Sequence, residues 1–279
     1  MRVCWAGLLL LCSIEASAAD GRLLGSGGVL SIDGSAGGGL VPWAVIAGHG
    51  ERGQWEVLAS VSQVDSGDFD LRSGAVALGW NNRVELSFAR LSLGLDALVR
   101  ANRFPDQRLD TDVIGTKVRL GGDLVYGAAP QIAAGVQWRR SRDSDLVRFS
   151  SADDDQGFDV YLSASKLLID GIASRRTLAS LSLRSTNANQ LGLAGFSDQR
   201  SIELEASLAV FMNSNWLLGM EYRDKPDRLE FAREDAWSDL FIAWLPSRHW
   251  HLALGYADLG SIAGIGGQRG WYFSVQATP

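Results

Sequence analysis

The regular alternation of apolar and polar residues over 202–222 limits the folds open to this chain. Successive side chains of a β-strand point to opposite faces, so a period of two predicts strands with one apolar and one polar face. Residues 212–215, with the sequence Met-Asn-Ser-Asn, interrupt the alternation with turn formers and predict an antiparallel hairpin. The apolar positions are Ile202, Leu204, Ala206, Leu208 and Val210, then Trp216, Leu218, Met220 and Tyr222.

The N-terminus has the pattern of a secretory signal peptide over residues 1–18. Arg2 precedes an apolar run, and Ala-Ser-Ala at 16–18 supplies the small residues that a signal peptidase requires. The run is shorter than the ~20 residues of a membrane-spanning helix. Cys4 and Cys12 both lie in this segment, so we expect a cleaved, exported chain without cysteine or disulfides.

Repetition of the hairpin unit predicts an all-β fold. Short turns and long polar loops alternate along the chain, and this asymmetry is typical of outer-membrane barrels. Counting strands from Gln54 gives about 12, and a hairpin from Val29–Asp33 and Leu40–Gly48 would give about 14. We therefore predict an antiparallel up-and-down transmembrane β-barrel of about 12 to 14 strands over residues 49–279. The Gly-rich residues 19–48 form either a plug or the first hairpin.

Aromatic residues favour lipid over a protein core as the neighbour of the apolar faces. Amphipathic rings at the ends of apolar bands are typical of a membrane interface. These residues are Trp55, Trp138, Trp216, Tyr222, Trp250, Tyr256 and Trp271. The alternative is a secreted or periplasmic β-barrel that binds a small apolar ligand inside, because a soluble barrel has the same period.

Four segments carry a resemblance to a known family. They are Gly37–Gly48, Leu71–Arg90, Asp112–Leu120 and Pro130–Arg140, with the sequences GGGLVPWAVIAG, LRSGAVALGWNNRVELSFAR, DVIGTKVRL and PQIAAGVQWRR. The chain resembles a proteobacterial domain-of-unknown-function family whose members look like outer-membrane β-barrels. The resemblance implies a fold and a compartment, but no activity and no functional residues.

Charged residues on the polar faces are the candidates for lining a lumen. They are Arg72, Lys117, Arg119, Arg139, Asp159, Glu203, Glu205, Glu221 and Arg223. Basic residues from the first half and acidic residues from the second would set up a transverse field that orients polar solutes. Alternatively, they pair across neighbouring strands and seal the interior.

No motif in the sequence indicates an active site, so we predict a protein that is not an enzyme and has no cofactor. His249 and His251, two apart on one strand, are candidate metal ligands, but no third ligand lies nearby in sequence. The net charge of −6 and the absence of a basic stripe argue against nucleic-acid binding.

The expected role is that of a passive channel for small or amphipathic solutes, or of a structural envelope protein, in the outer membrane of a Gram-negative bacterium. The expected partners are outer-membrane lipid and a small solute. The sequence leaves open the solute, the state of the lumen and the oligomeric state.

Overall fold

A computed structural model describes residues 27–50, 53–95, 108–142, 152–228, 234–262 and 264–278. The predicted signal peptide lies outside these residues. Twelve antiparallel strands close into a barrel, which confirms the predicted fold and the lower of the two strand counts. Two short strands, β1 (Val29–Leu30) and β2 (Ala36–Gly37), pair with each other in a sheet separate from the barrel.

The barrel strands follow one another around the wall in chain order. They are β3 (Trp55–Asp65), β4 (Asp70–Trp80), β5 (Val84–Gly94), β6 (Arg108–Gly121), β7 (Gln131–Ser141), β8 (Gln156–Leu168), β9 (Thr177–Ala188), β10 (Phe196–Phe211), β11 (Trp216–Arg223), β12 (Trp237–Trp244), β13 (Trp250–Asp258) and β14 (Arg269–Ala277). The last strand closes the barrel by pairing with β3, in a register that sets Trp271 opposite Asp65 and Ala277 opposite Ala59. None of the described residues form a helix long and apolar enough to span a bilayer.

Alternation along the strands separates an apolar outer face from an inner face that carries the buried charged and hydroxyl side chains together with smaller apolar ones. In β11, for example, Trp216, Leu218 and Met220 are exposed outward while Glu221 and Arg223 are buried inward. The aromatic residues identified in the sequence all lie on the outer face. Outward Trp216 stacks on Trp244 at a centroid distance of 5.8 Å. This outer surface matches lipid, because it is the side of the wall that carries the large apolar side chains.

The two ends of the barrel differ in the lengths of their connections. The short-turn end carries residues 81–83, 122–130, 169–176, 212–215 and 245–249, and the chain enters and leaves the barrel there. The long-loop end carries residues 66–69, 95–107, 142–155, 189–195, 224–236 and 259–268. The tightest turn needs positive φ at Asn81 and Asn82, which are 57° and 46°, and asparagine tolerates this conformation.

Residues 27–49, which we call the inner segment, lie inside the barrel. They are buried apart from Val29. Side chains from widely separated strands hold their backbone: Gln276 of β14 accepts from Leu30 N at 2.7 Å, and Ser165 of β8 accepts from Ala44 N at 2.8 Å. A segment that is bonded to opposite parts of a closed wall must run through its interior.

Candidate functional site

The inner segment enters and returns at the short-turn end, and its hairpin reaches toward the long-loop end. Gly27 and Gly48 pass so closely that a Cβ on Gly27 would lie 2.4 Å from the Gly48 oxygen. Residues 31–35 form the tip, where Gly34 N donates to Ser31 O at 2.9 Å and Gly34 adopts a φ of 87°. Glycine adopts this conformation without steric cost, so the chain can reverse here and present the Asp33 carboxylate.

Asp33 contacts three buried arginines, which we call the arginine triad: Arg139 of β7, Arg184 of β9 and Arg223 of β11. Its Oδ2 accepts from Arg139 Nη2 at 2.8 Å and from Arg223 Nη1 at 3.0 Å. Arg184 Nη2 lies 3.8 Å from the same oxygen. Three guanidinium groups around one carboxyl favour its ionised form, so Asp33 pairs with the triad as an anion.

Two wall carboxylates complete this cluster. Asp159 of β8 accepts from Arg139 Nε at 2.8 Å and from Arg184 Nη1 at 3.3 Å. Glu205 of β10 accepts from Arg184 Nε at 2.6 Å and lies 3.1 Å from Arg223 Nε. The cluster joins five adjacent wall strands, β7 to β11, and its charges balance only when Asp33 is included.

A second ion pair holds the inner segment nearer the short-turn end. Lys117 Nζ lies 3.1 Å from Glu85 Oε2, and both side chains are 1% exposed. Glu85 accepts from Ala36 N at 3.1 Å and from Ala47 N at 2.8 Å. Lys117 donates to Ala36 O at 2.7 Å. This pair binds backbone groups on both limbs of the inner segment, which it thereby clamps to β5 and β6.

Glu221 makes a third contact with the inner segment, where the segment backbone passes so close to the wall that only glycine fits. Its Oε2 accepts from Leu40 N at 2.7 Å. A Cβ on Gly38 would lie 1.9 Å from the Glu221 Oε1, and a Cβ on Gly39 would lie 2.7 Å from the Tyr272 hydroxyl. The glycine run of the segment therefore lets its backbone approach the wall closely.

Connection 189–195 covers the arginine triad from the long-loop end. Leu191 O accepts from Arg139 Nη1 at 3.1 Å, and Gly192 O accepts from Thr111 Oγ1 at 3.3 Å. Gln190 and Leu191 both have positive φ, 45° and 59°, a conformation that non-glycine residues adopt at a cost. Gln190 bonds to Glu234 and Lys225 at 2.9 and 3.1 Å, which ties the cover to the neighbouring loop.

Seven of the nine residues proposed from the sequence to line the lumen are buried inside the barrel. Lys117, Arg139, Asp159, Glu203, Glu205, Glu221 and Arg223 are buried on the inner face. Arg119 has inward parity but lies at the short-turn rim, where its Nη2 donates to Gly122 O at 2.8 Å. The placement of Arg72 in the lumen was wrong: it shares the outer face of β4 with Val76 and Trp80, is 60% exposed, and pairs with Asp70.

Several of the interior charges form local ion pairs, whereas Glu221 and Asp239 are buried acids for which the described residues show no ion pair. Acidic and basic side chains alternate between neighbouring strands, as Arg139 with Asp159 and Arg184 with Glu205 show. These pairs match the second of the two predicted arrangements, in which charges pair across neighbouring strands. Burial gives the reason, because a buried charge is stable only beside an opposite one.

The two candidate metal ligands do not share a site. His251 is buried, with its Nδ1 3.2 Å from Gln276 Nε2, whereas His249 is exposed in connection 245–249. The strand begins at Trp250, so the predicted alternation does not extend to His249. No group of three or more His, Cys, Asp or Glu side chains within the described ranges is placed to hold a metal ion.

Three central residues were absent from the sequence candidates: Asp33, Glu85 and Arg184. Glu85 and Arg184 occupy inward positions of predicted strands, so the alternation alone could have identified them. Asp33 could not be found in this way, because its role depends on where the inner segment lies.

Comparisons with known proteins agree with this architecture. A family model described as a protein of unknown function (DUF3034) matches residues 26–276. No curated protein matches the chain.

Among solved structures, the NanC porin aligns with a TM-score of 0.51 at 8% identity, covering 79% of this chain and 97% of that one. The KdgM porin gives 0.48 at 8% identity, covering 80% and 98%. The outer membrane protein Omp33 of Acinetobacter baumannii gives 0.46 at 8% identity, covering 82% and 98%.

The barrel therefore has an outer-membrane fold. The alternative of a soluble barrel with an apolar ligand pocket finds no support, since the inner segment and a mixture of charged, polar and apolar side chains occupy the interior, while large apolar side chains cover the exterior.

Proposed function

The chain belongs to the DUF3034 family of proteins of unknown function, and from this premise and its porin-like fold we propose that it is an outer-membrane channel for small solutes, closed by its own inner segment. The observation that carries the proposal is the inner segment itself, which occupies the space through which a solute would pass. Charged and hydroxyl side chains make up part of the wall around it, and they suit a wet passage.

The outer face supports a place in the bilayer with lipid as the direct partner. Apolar residues cover the middle of the wall, and aromatic residues lie toward both ends, such as Trp216 and Trp250 at one end and Tyr256 and Trp271 at the other. In outer-membrane barrels short turns face the periplasm and long loops face outward. The inner segment then enters from the periplasmic side.

The way in which the wall holds the inner segment is compatible with release. The described hydrogen bonds between the wall and residues 30–47 all use wall side chains. For example, Ser73 Oγ donates to Ile32 O at 2.5 Å, and Ser182 Oγ donates to Pro42 O at 2.9 Å. The segment is not a strand of the barrel, so its withdrawal leaves the wall ladder intact. Opening then requires the exchange of side-chain contacts without the unfolding of the barrel.

A reversible covalent lock tests the proposal. An ideal Cβ on Gly34 would lie 3.1 Å from the Ala89 Cβ of β5, close to the roughly 3.5–4.5 Å that a disulfide spans. We expect the Gly34→Cys/Ala89→Cys variant to be silent in planar bilayers when oxidised and to show discrete openings after reduction. The processed chain carries no other cysteine if the signal is removed, so the bond is unambiguous.

The two single-cysteine variants are controls for effects of the substitutions that do not depend on the disulfide. Ala89→Cys alone should conduct equally under both redox conditions, and Gly34→Cys alone reports the cost of a side chain at positive φ. Equal conductance of the oxidised and reduced double variant would contradict a moving inner segment. Absence of conductance in every state would favour a structural barrel.

A further inference from the structure

The arginine triad has the composition of a carboxylate-binding site. Arg139, Arg184 and Arg223 converge on one oxygen of Asp33 from three different strands, and all are buried. Guanidinium groups form charge-assisted hydrogen bonds with carboxylates and are favoured wherever planar carboxylates are recognised. Because each arginine belongs to the wall, the triad remains in the lumen when the inner segment leaves.

The wall by itself leaves the triad with an excess positive charge. Among the described residues, Asp159 and Glu205 are the wall acids within ion-pair distance of the three arginines. Asp33 supplies the third carboxylate, and it is the one Asp or Glu in residues 27–49. Breaking a buried ion pair on one side leaves a costly unpaired charge. Whatever replaces Asp33 must therefore be negatively charged.

Asp33 does not use all the donors that the triad offers. Its second oxygen, Oδ1, accepts from Ser31 Oγ at 2.6 Å within the hairpin tip. Arg223 Nη2 is buried and has no hydrogen-bond partner in the described part of the chain. A free solute carboxylate, which is not held by Ser31, has a second oxygen available for this donor.

We infer that the arginine triad binds the carboxylate group of small anionic solutes, and that Asp33 occupies this site in the closed state as an internal substitute for the solute. Exchange of one carboxylate for another keeps the buried charges balanced, whereas a neutral solute would leave an arginine unpaired. Anionic solutes therefore release the hairpin tip, and neutral ones do not. The inference rests on the proposed channel function for its role in transport, but the binding step can be measured without it.

Acetate is the side-chain analogue of aspartate, so it is the natural probe. Asp33→Gly removes a group of the size of acetate and leaves the triad in place. We expect 100 mM acetate to raise the thermal unfolding midpoint of this variant in detergent, and 100 mM acetamide to leave it unchanged. With a Kd near 10 mM, acetate would multiply the folded-to-unfolded ratio about tenfold. If the variant does not fold in plain buffer, the fraction refolded in acetate against acetamide is the readout.

Asp33→Gly/Arg223→Gln is the matched control, because it restores the charge balance and removes one member of the triad. It should fold and lose the acetate response. Arg119→Gln in the Asp33→Gly background changes an arginine at the short-turn rim, outside the triad, and should keep the response. Equal effects of acetate and acetamide, or an acetate response that survives Arg223→Gln, would overturn the inference.

Conductance then distinguishes failure of the inference from failure of the proposed function. Acetate stabilisation without openings in any variant would retain the carboxylate site and reject the channel. Openings in the reduced Gly34→Cys/Ala89→Cys variant, without acetate stabilisation of Asp33→Gly, would retain the channel and reject the carboxylate site.

Discussion

Glu85→Gln should loosen the inner segment more than any outward substitution of the same type. The side chain keeps its size but loses its charge, so the Lys117 ammonium remains buried without its counterion at 3.1 Å. One of the two accepted backbone hydrogen bonds, from Ala36 N or Ala47 N, also loses its acceptor, because an amide has a single acceptor oxygen.

The size of the effect follows from burial. Removing one partner of a buried ion pair costs about 3–5 kcal/mol. If the cost falls on the docked state, the ratio of docked to released inner segment falls by a factor of about 10² to 4 × 10³, since 1.4 kcal/mol corresponds to a factor of ten. Glu85→Gln/Lys117→Met removes both charges and leaves the lost acceptor, which the single variant also lacks, and the lost Lys117 hydrogen bond to Ala36 O, each worth about 1–3 kcal/mol. The double variant should therefore be closer to the unsubstituted chain than the single variant.

Open probability in planar bilayers measures this ratio directly. Asp70→Asn provides the control, because Asp70 pairs with Arg72 and Arg108 on the outer face, where ion pairs contribute only about 0–1 kcal/mol. A Glu85→Gln channel that opens no more often than the Asp70→Asn channel would refute the reasoning. So would a double variant that opens as often as the single one.

Three further predictions test other parts of the structure. Gly38→Val should destabilise the docked inner segment by about 1–3 kcal/mol, because the added side chain overpacks against Glu221. We expect a higher open probability in planar bilayers. Trp216→Ala removes the stack on Trp244 and should lower the free energy of unfolding of the barrel in lipid vesicles by about 0.5–1.5 kcal/mol. An unchanged urea unfolding midpoint would contradict this. Burial raises the pKa of the Glu234 carboxyl, in a loop outside the membrane, to about 7. Its contribution to stability is therefore complete below its ordinary pKa and is lost as pH rises through about 7, and Glu234→Gln should flatten that part of a stability–pH profile.

The barrel wall could be predicted from the sequence because its signal is local. Along each strand the side chains alternate between the outer and the inner face of the wall, and turn residues such as Asn81 and Asn82 mark the strand ends. The same alternation identified most of the inward charges. Arg72 was misassigned because the small residues around it in β4 do not show which face is polar.

The interior could not be predicted in the same way. The inner segment has no alternation, and its glycines fit a flexible link, a hairpin and a plug equally well. Its place depends on contacts between residues more than a hundred positions apart, such as Asp33 with Arg139 and Arg223. Pairing of buried charges is likewise a property of the closed barrel, in which β14 meets β3 and encloses the segment.

The position of the inner segment is tested most directly by cysteine labelling of outer-membrane preparations with a water-soluble maleimide. Ser35→Cys lies at the hairpin tip, where the serine is 1% exposed and contacts Tyr161, and Ser214→Cys lies in an exposed turn. We expect rapid labelling at 214 and slow labelling at 35, at the rate at which the inner segment is released, with full labelling of both positions once the barrel is unfolded. Equal labelling rates at the two positions in the folded protein would contradict a segment held inside the barrel.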